Sequence, residues 1–288
     1  MHEKAPAKIN LGLCITGKRP DGFHDILSLF QTVDLCDNLS ATGFDGKRLT
    51  CNNSDLPVNT DNLVVRAEDL FCERFGIKRR LSFNLDKRIP VGGGLGGGSS
   101  DGAAALRLLQ TYHGVESDDR RLMEIAAELG SDIPFLVRGG TGVVSGRGEV
   151  IEEISWPFDF SYVLVHPGFG VSTAWAYRSM TDFGQDADRY GAMIGKLRDG
   201  SLARDDFFSA LTNDFERVVF EEHPVLGTIR DDLLAGGARA AMMTGSGSTM
   251  LGIFEDHDTA EQCAESMHGD KKAVFLSSKF NIQDSENE

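Results

Sequence analysis

Residues Pro90–Ala105 read "PVGGGLGGGSSDGAAA", with six glycines among the seven residues 92–98 and an Ala/Leu-rich run behind them. Ordering so bare a backbone is entropically costly. The segment is therefore expected to approach something closely. The P-loop pattern GxxxxGK[ST] fails, because no Lys precedes a Ser or Thr here. The dinucleotide pattern GxGxxG is met by Gly92, Gly94 and Gly97, with Asp118 about 20 positions on as a ribose partner. Its context is wrong. The first strand of that fold is buried on both faces and reads as a continuous apolar run, whereas "RLSFNLDKRIP" alternates and carries charge up to Pro90. "DFG" at Asp182-Phe183-Gly184 has no HRD-type loop or VAIK-type strand before it and reads as chance. A flexible linker is disfavoured by the strand and long helix on either side. What remains is a glycine loop running into a helix N-terminus. There, successive amides and the helix dipole form an anion cradle. Ser99 and Ser100 are placed to cap that helix and to offer hydroxyls to phosphate oxygens or a magnesium ion.

The remaining composition limits what such a cradle can serve. The chain has 288 residues and a formal net charge of −15, which argues against nucleic acid and anionic membranes as partners. That field also opposes an anionic substrate, so phosphate affinity must come from local amides and a few placed cations. No apolar run reaches the ~20 residues of a membrane helix, and no signal peptide is legible at the N-terminus. Five scattered cysteines without a CxxC pair fit reduced thiols and a cytoplasmic location, and no metal site is expected from them.

Outward from the loop, residues 7–15 and 25–35 read as strands, and Leu81, Phe83 and Leu85 alternate in a third. Leu63, Ala67, Leu70 and Phe71 recur at helical spacing, with Gly76 as the C-cap. The run after the glycines reads as a helix ending near Gly114. A second helix is expected to open at Ser117 and close at Gly130. Residues 141–154 read as two strands around a turn. From Phe160 the order becomes β-α-β-β-α-β, which implies a ferredoxin-like unit. Its helices are expected over 172–180, 212–222, 223–237 and 258–269. A boundary near Trp156-Pro157 divides the chain into residues 1–157 and 158–288, and the acidic tail 283–288 is expected to fray.

Residues Pro90–Ser100 resemble the phosphate loop of the GHMP kinases, the family of galactokinase, homoserine kinase and mevalonate kinase. "PAKINLGLCITGKRPDGFHDI" (residues 6–26) resembles the N-terminal motif of the branch acting on 4-diphosphocytidyl-2-C-methyl-D-erythritol, whose usual form ends in DGYH. "GSDIPF" (130–135) resembles that branch's catalytic-aspartate motif, and "ARAAMMTGSGSTMLGIF" (238–254) resembles the third family motif. The resemblance implies an α+β, two-domain GHMP kinase fold with a ribosomal-S5-like N-terminal domain and a ferredoxin-like C-terminal domain. It implies ATP-dependent phosphorylation of the substrate's 2-hydroxyl, giving the 2-phosphate and ADP, in the non-mevalonate isoprenoid precursor pathway. ATP and Mg²⁺ follow as cofactors. The partner is a small cytidyl diphosphate molecule, with no nucleic acid or membrane, and the enzyme would be a monomer or homodimer.

The resemblance also implies roles. Asp132 matches the catalytic base. From position alone, after Gly130 and before Pro134, it reads first as an N-cap, and the resemblance tips it to the base. Lys8 matches the catalytic lysine, against the default of a solvated strand lysine. Asn10 shares its strand face and is expected to contact substrate hydroxyls or orient Asp132. Pro90, Val91, Gly92, Gly93, Gly94, Leu95, Gly96, Gly97, Gly98, Ser99 and Ser100 would hold ATP, with Lys87 and Asn62 beside the nucleotide. His24 would hydrogen-bond cytosine. Phe23 stands where tyrosine is usual and keeps a stacking face. Tyr177 matches the aromatic on the base's other face, or else is a core residue. Gly245 and Ser246 would press on the substrate end of the cleft, or else form a plain hairpin turn. Outside this reading stand another GHMP kinase, a nicotinamide oxidoreductase and an inactive binding protein. "DGFH" weighs against the first, and the joint presence of Lys8 and Asp132 against the last.

Overall fold

The computed structural model of the chain describes residues 1–116, 119–267 and 272–282. Two long strands, β1 (His2–Lys18) and β2 (His24–Gly43), pair antiparallel with Lys18 opposite His24 and Lys8 opposite Thr32. β3 is Leu49–Cys51, β4 Leu81–Asp86, β5 Thr141–Gly146 and β6 Val150–Glu153. β4 pairs with residues 38–43 of β2 and β5 with residues 26–31, so β2 carries both. β3 adds parallel to β4, and β6 antiparallel to β5.

β1 is buried continuously from Ala5 to Ile15. Its alternation predicts a half-buried strand, but both its faces are covered. One face meets α2 (Gly97–His113), which packs in turn on α1 (Leu63–Phe75), α3 (Arg120–Leu129) and α4 (Ile133–Arg138). Ala7, Ile9 and Leu11 instead join a second cluster with Tyr162, Tyr190 and Ile194 from the other half of the chain. α2 is buried from Ser100 to Leu109. Its alanines 103–105 let it lie close against its neighbours, and each buried Leu on it contributes ~1.5–3 kcal/mol.

The second half begins with β7 (Ser161–His166). It continues through α5 (Thr173–Ser179), α6 (Ala187–Arg198), α7 (Arg204–Ala210), α8 (Glu216–Glu222) and α9 (Val225–Ala235) to β8 (Ala240–Met243), β9 (Met250–Phe254), α10 (His257–Ser266) and β10 (Ala273–Ser278). The antiparallel sheet runs β10-β7-β9-β8. Counted along the chain this is 4-1-3-2, the order that a β-α-β-β-α-β unit makes when its hairpin strand fills the space between two crossover strands.

Four local expectations change. α2 starts at Gly97 with Gly96 as N-cap (φ 69°), so neither Ser99 nor Ser100 caps it. Ser100 instead donates to the Pro6 carbonyl at 2.7 Å. The cap of α3 is Asp119, whose carboxylate accepts from Arg121 N, while Ser117 lies outside the described residues, as do Asp118, residues 268–271 and the tail 283–288. α8 begins at Glu216 rather than Thr212, because Asn213 and Asp214 serve the chain around them. Asn213 donates to the carbonyls of Met243 and Gly245, and Asp214 accepts from Ile15 and Gly184. α6 and α7 went unread; Gly191 and Gly195 interrupt the helical pattern of α6.

Candidate active site

The chain leaves the sheet after Asp86, and the glycine segment lies between two cavities. One, of about 900 Å³, is lined by Lys8, Asn10, Phe23, His24, Asp132 and Tyr177 among others. The second, of about 390 Å³, is lined by the loop itself from Pro90 to Ser99 and by Asn62, Lys87 and Asp101. Gly94 and Gly96 line both, so the loop is their common wall.

The loop's conformation follows from its glycines. Gly92, Gly94 and Gly96 have φ of 75°, 80° and 69° and alternate with residues of ordinary φ. Alternate carbonyls turn into the protein: Gly93 O accepts from Thr249 N at 3.2 Å and Leu95 O from Lys8 N at 2.9 Å. Among the described residues, no main-chain acceptor takes the N–H groups of 92–98. These free amides, with the start of the 17-residue α2 behind them, give positive potential without net charge.

Gly94 also meets the second glycine loop. A Cβ there would lie 2.6 Å from Thr244 O and 3.0 Å from Gly247 O. The loop Gly245-Ser246-Gly247-Ser248 is thus pressed against the first one. Asn213 holds it from below, and Ser246 Oγ lies 2.7 Å from Thr173 Oγ1. Asn10 N donates to Thr244 Oγ1 at 2.8 Å, a further link between the two halves. Gly245 and Ser246 line the larger cavity, so this turn is more than a strand connector.

Lys8 is 5% exposed and not a solvated lysine. Its Nζ donates to Asn10 Oδ1 at 2.7 Å, lies 3.8 Å from Asp132 Oδ2 and sits over the Phe30 ring at 4.5 Å. Burial lowers the ammonium's pKa, and Asp132 partly restores it. Asn10 donates to Ser28 Oγ at 2.9 Å. Its amide therefore orients Lys8 rather than Asp132. Asp132 occupies the N-cap position of α4, but its side chain makes no cap hydrogen bond. The carboxylate is left facing Lys8 and the cavity.

The far end of this cavity is aromatic. His24 starts β2 instead of lying in a loop. It stacks on Tyr177 at 4.9 Å and meets Phe183 edge-on at 5.7 Å. Burial and the nearby Lys18 lower its pKa, which keeps the ring neutral and able both to donate and to accept. Tyr177 meets Phe215 edge-on at 4.9 Å; it lines the cavity and also packs against the hydrophobic core. Phe23 is 55% exposed at the rim, with the Arg147 guanidinium 5.0 Å over its ring. Phe183, from the "DFG" set aside as chance, belongs to this wall. Nothing in local spacing marked it, nor Thr173 or Phe215.

Beside the smaller cavity, Asn62 caps α1 through Val64 N and donates to Pro57 O at 2.9 Å. Lys87 is bound by Asp37 and, at 2.8 Å, by Asp101. Burial opposes its charge, yet the two carboxylates raise its pKa. Asp37 also accepts from Arg88 N and Ile89 N. Its carboxylate, which sequence reading missed, fixes the chain just before the loop. Burial, together with the charge of Asp37, pushes the Asp101 carboxyl up to about 8.

Residues 62–140 match the family described as GHMP kinases N terminal domain, and residues 193–271 match GHMP kinases C terminal. The chain is 38% identical to 4-diphosphocytidyl-2-C-methyl-D-erythritol kinase of Prosthecochloris aestuarii over 96% of its length and 97% of the relative's. It is 40% identical to the protein of that name from Chlorobaculum parvum, covering 97% of this chain and 98% of that one. The chain belongs to this kinase family. A crystal structure of 4-(cytidine 5'-diphospho)-2C-methyl-D-erythritol kinase superposes with a TM-score of 0.79 at 33% identity, covering 97% of this chain and all of the other. Homoserine kinase from Cytophaga hutchinsonii shares the fold, with a TM-score of 0.77 at 20% identity over 98% of this chain and 95% of that one. Among the described residues, no helix is long and apolar enough to cross a membrane.

Proposed function

We propose that this kinase transfers the γ-phosphoryl group of ATP to the 2-hydroxyl of 4-diphosphocytidyl-2-C-methyl-D-erythritol, releasing ADP and the 2-phosphate, in the non-mevalonate isoprenoid precursor pathway. The observation that carries the reading is the uncapped Asp132 carboxylate, 3.8 Å from the buried Lys8 ammonium, in a cavity that shares Gly94 and Gly96 with the smaller one along the glycine loop. A tertiary hydroxyl is a poor nucleophile, so transfer needs alignment, charge neutralisation and a proton acceptor. Asp132 takes the hydroxyl proton as the oxygen attacks the γ-phosphorus, and the bond to the β-phosphate oxygen breaks. Lys8 pairs with Asp132 and meets the charge on the transferring group. Asn10 holds Lys8 in place.

The amides of Gly92 to Gly98 receive the phosphates, with Pro90, Val91, Leu95, Ser99 and Ser100 shaping the loop. Asn62 and Lys87 border the nucleotide, and Lys87 acts through the carboxylates that hold it. His24, Tyr177 and Phe23 take the cytosine, and Gly245 with Ser246 backs the methylerythritol. Mg²⁺ would neutralise phosphate charge. Among the described residues no three His, Cys, Asp or Glu side chains group to hold a metal, so the ion would ride on the phosphates and water. The Ser99 hydroxyl would reach it, and Ser100, engaged with Pro6, would not.

The domain division at residue 157 is part of the same proposal, supported by sheets that end at Glu153 and resume at Ser161. So is action in the cytoplasm without nucleic acid or membrane, supported by the net charge of −15. The test is a phosphoryl-transfer assay with the cytidyl substrate against homoserine, mevalonate and galactose. Turnover is expected with the first alone, and comparable turnover of any other would refute the assignment.

A further inference from the structure

Among the described residues, two buried polar atoms lack a hydrogen-bond partner at one spot under the phosphate loop. They are His166 Nε2, at the end of β7, and Thr249 Oγ1, just before β9. Both abut Gly93, where a Cβ would lie 2.7 Å from His166 Cδ2, 3.3 Å from its Nε2 and 2.7 Å from Thr249 Oγ1. His166 is 7% exposed. Its Nδ1 accepts from Gly168 N at 3.0 Å, which places the neutral ring's proton on Nε2. Burial lowers the ring's pKa, while its own backbone and that of Val91 raise it. An unpartnered buried donor is costly and calls for an explanation.

The loop's own geometry supplies one. In a trans peptide the carbonyl of one residue and the N–H of the next point in opposite directions. Thr249 N holds the Gly93 carbonyl and Lys8 N the Leu95 carbonyl, which turns the N–H groups of Gly94 and Gly96 the other way. The third member of this alternation, the Val91 carbonyl ahead of Gly92 N–H, takes no main-chain N–H among the described residues and faces the His166 ring.

We propose that His166 is a positioning residue of the phosphate loop: its Nε2–H takes the Val91 carbonyl when phosphates bind, turning the Gly92 amide toward them. The second half of the chain thereby sets the first amide of the cradle. The imidazole touches neither nucleotide nor acceptor and acts only through the loop. This rests on the proposal that the loop holds ATP.

The test compares His166→Phe, which fills the same space without a donor, with His166→Gln, which keeps one. ATP dissociation constants by calorimetry and KM values for ATP and for the cytidyl acceptor are measured for both. His166→Phe is expected to weaken ATP about five- to tenfold, the worth of one lost hydrogen bond, with the acceptor KM unmoved. His166→Gln should bind ATP within about twofold of wild type. If the two variants behave alike, or if acceptor KM rises as much as that for ATP, His166 is only structural and the proposal falls. Should the phenylalanine variant fail to fold, His166→Ala against His166→Gln gives the same comparison. A wild-type protein that binds no ATP would overturn the nucleotide reading itself, whereas an unaffected His166→Phe overturns only the role of this histidine.

Discussion

Gly94 and Gly98 lie four residues apart in the same glycine run, and alanine should have opposite effects at the two. At Gly94, φ is +80° and an added Cβ would meet the Thr244 and Gly247 carbonyls at 2.6 and 3.0 Å and Gly247 N at 3.2 Å. All three are backbone atoms of the second loop, so no side chain can swing aside. The left-handed conformation costs an alanine ~1–2 kcal/mol and overpacking adds ~1–3 kcal/mol, so Gly94→Ala should lose about 2–5 kcal/mol. At Gly98 nothing lies within 4 Å of the added Cβ and the residue is already helical. Gly98→Ala should therefore gain ~0.5–1 kcal/mol from a reduced entropy cost. Thermal melts read both. Gly94→Ala is expected to lower Tm by on the order of 10 °C and Gly98→Ala to raise it slightly. ATP should no longer protect Gly94→Ala, because the two loops can no longer close on each other. A Gly94→Ala protein melting within about 2 °C of wild type would show that the loops are not in contact, and the common-wall arrangement would fail with it.

Asp132→Ala is expected to cut kcat by about 10²–10⁴-fold while ATP binding stays within a few-fold; near wild-type kcat in an ADP-release assay would remove the base assignment. His24→Ala should raise KM for the cytidyl substrate ten- to a hundredfold, on the order of a base-stacking loss, and leave KM for ATP nearly unchanged. Equal effects on both would make the histidine structural. Glu216 is half-buried and accepts from Met243 N at 2.6 Å. Burial pushes its carboxyl up to about 7, with the main-chain bond and Arg230 pulling it back. Its unfolded value is about 4.3, so the proton is held more tightly in the folded protein. The stability it contributes is full below about pH 4.3 and is lost as pH rises through 7. Glu216→Gln should flatten that decline and be more stable at pH 8 by on the order of 3 kcal/mol. Urea titrations at pH 5 and pH 8 measure it, and an unchanged pH dependence would refute the assignment.

Much of this site was legible in the chain. The period-2 pattern placed Lys8 and Asn10 on one strand face, and they do touch at 2.7 Å. The glycine run followed by alanines gave a loop entering a helix, although the helix starts two residues earlier than the serines predict. The burial of Lys8 was not legible, because alternation tells which residues share a face but not what covers it. Phe183 was misread for the same reason. Its neighbours in sequence have no bearing on the cavity, and it arrives there by the packing of the β7–β8 crossover.

By itself, the sequence determined the local chemistry: a cradle of free amides, a lysine and an aspartate of the right types, an aromatic-His pair, and the β-α-β-β-α-β succession of elements in the second half. These depend on backbone conformation and on periodicities of 2 and 3.6, which are written along the chain. Tertiary structure alone decided the working distances. It set Asp132 3.8 Å from Lys8 and left it uncapped. It engaged Lys87 with two acids, pressed one glycine loop on the other, and placed His166 beneath the first. Each of these joins residues far apart in the chain, and such contacts are selected by which surfaces pack together, a property of the whole core and not of any one segment.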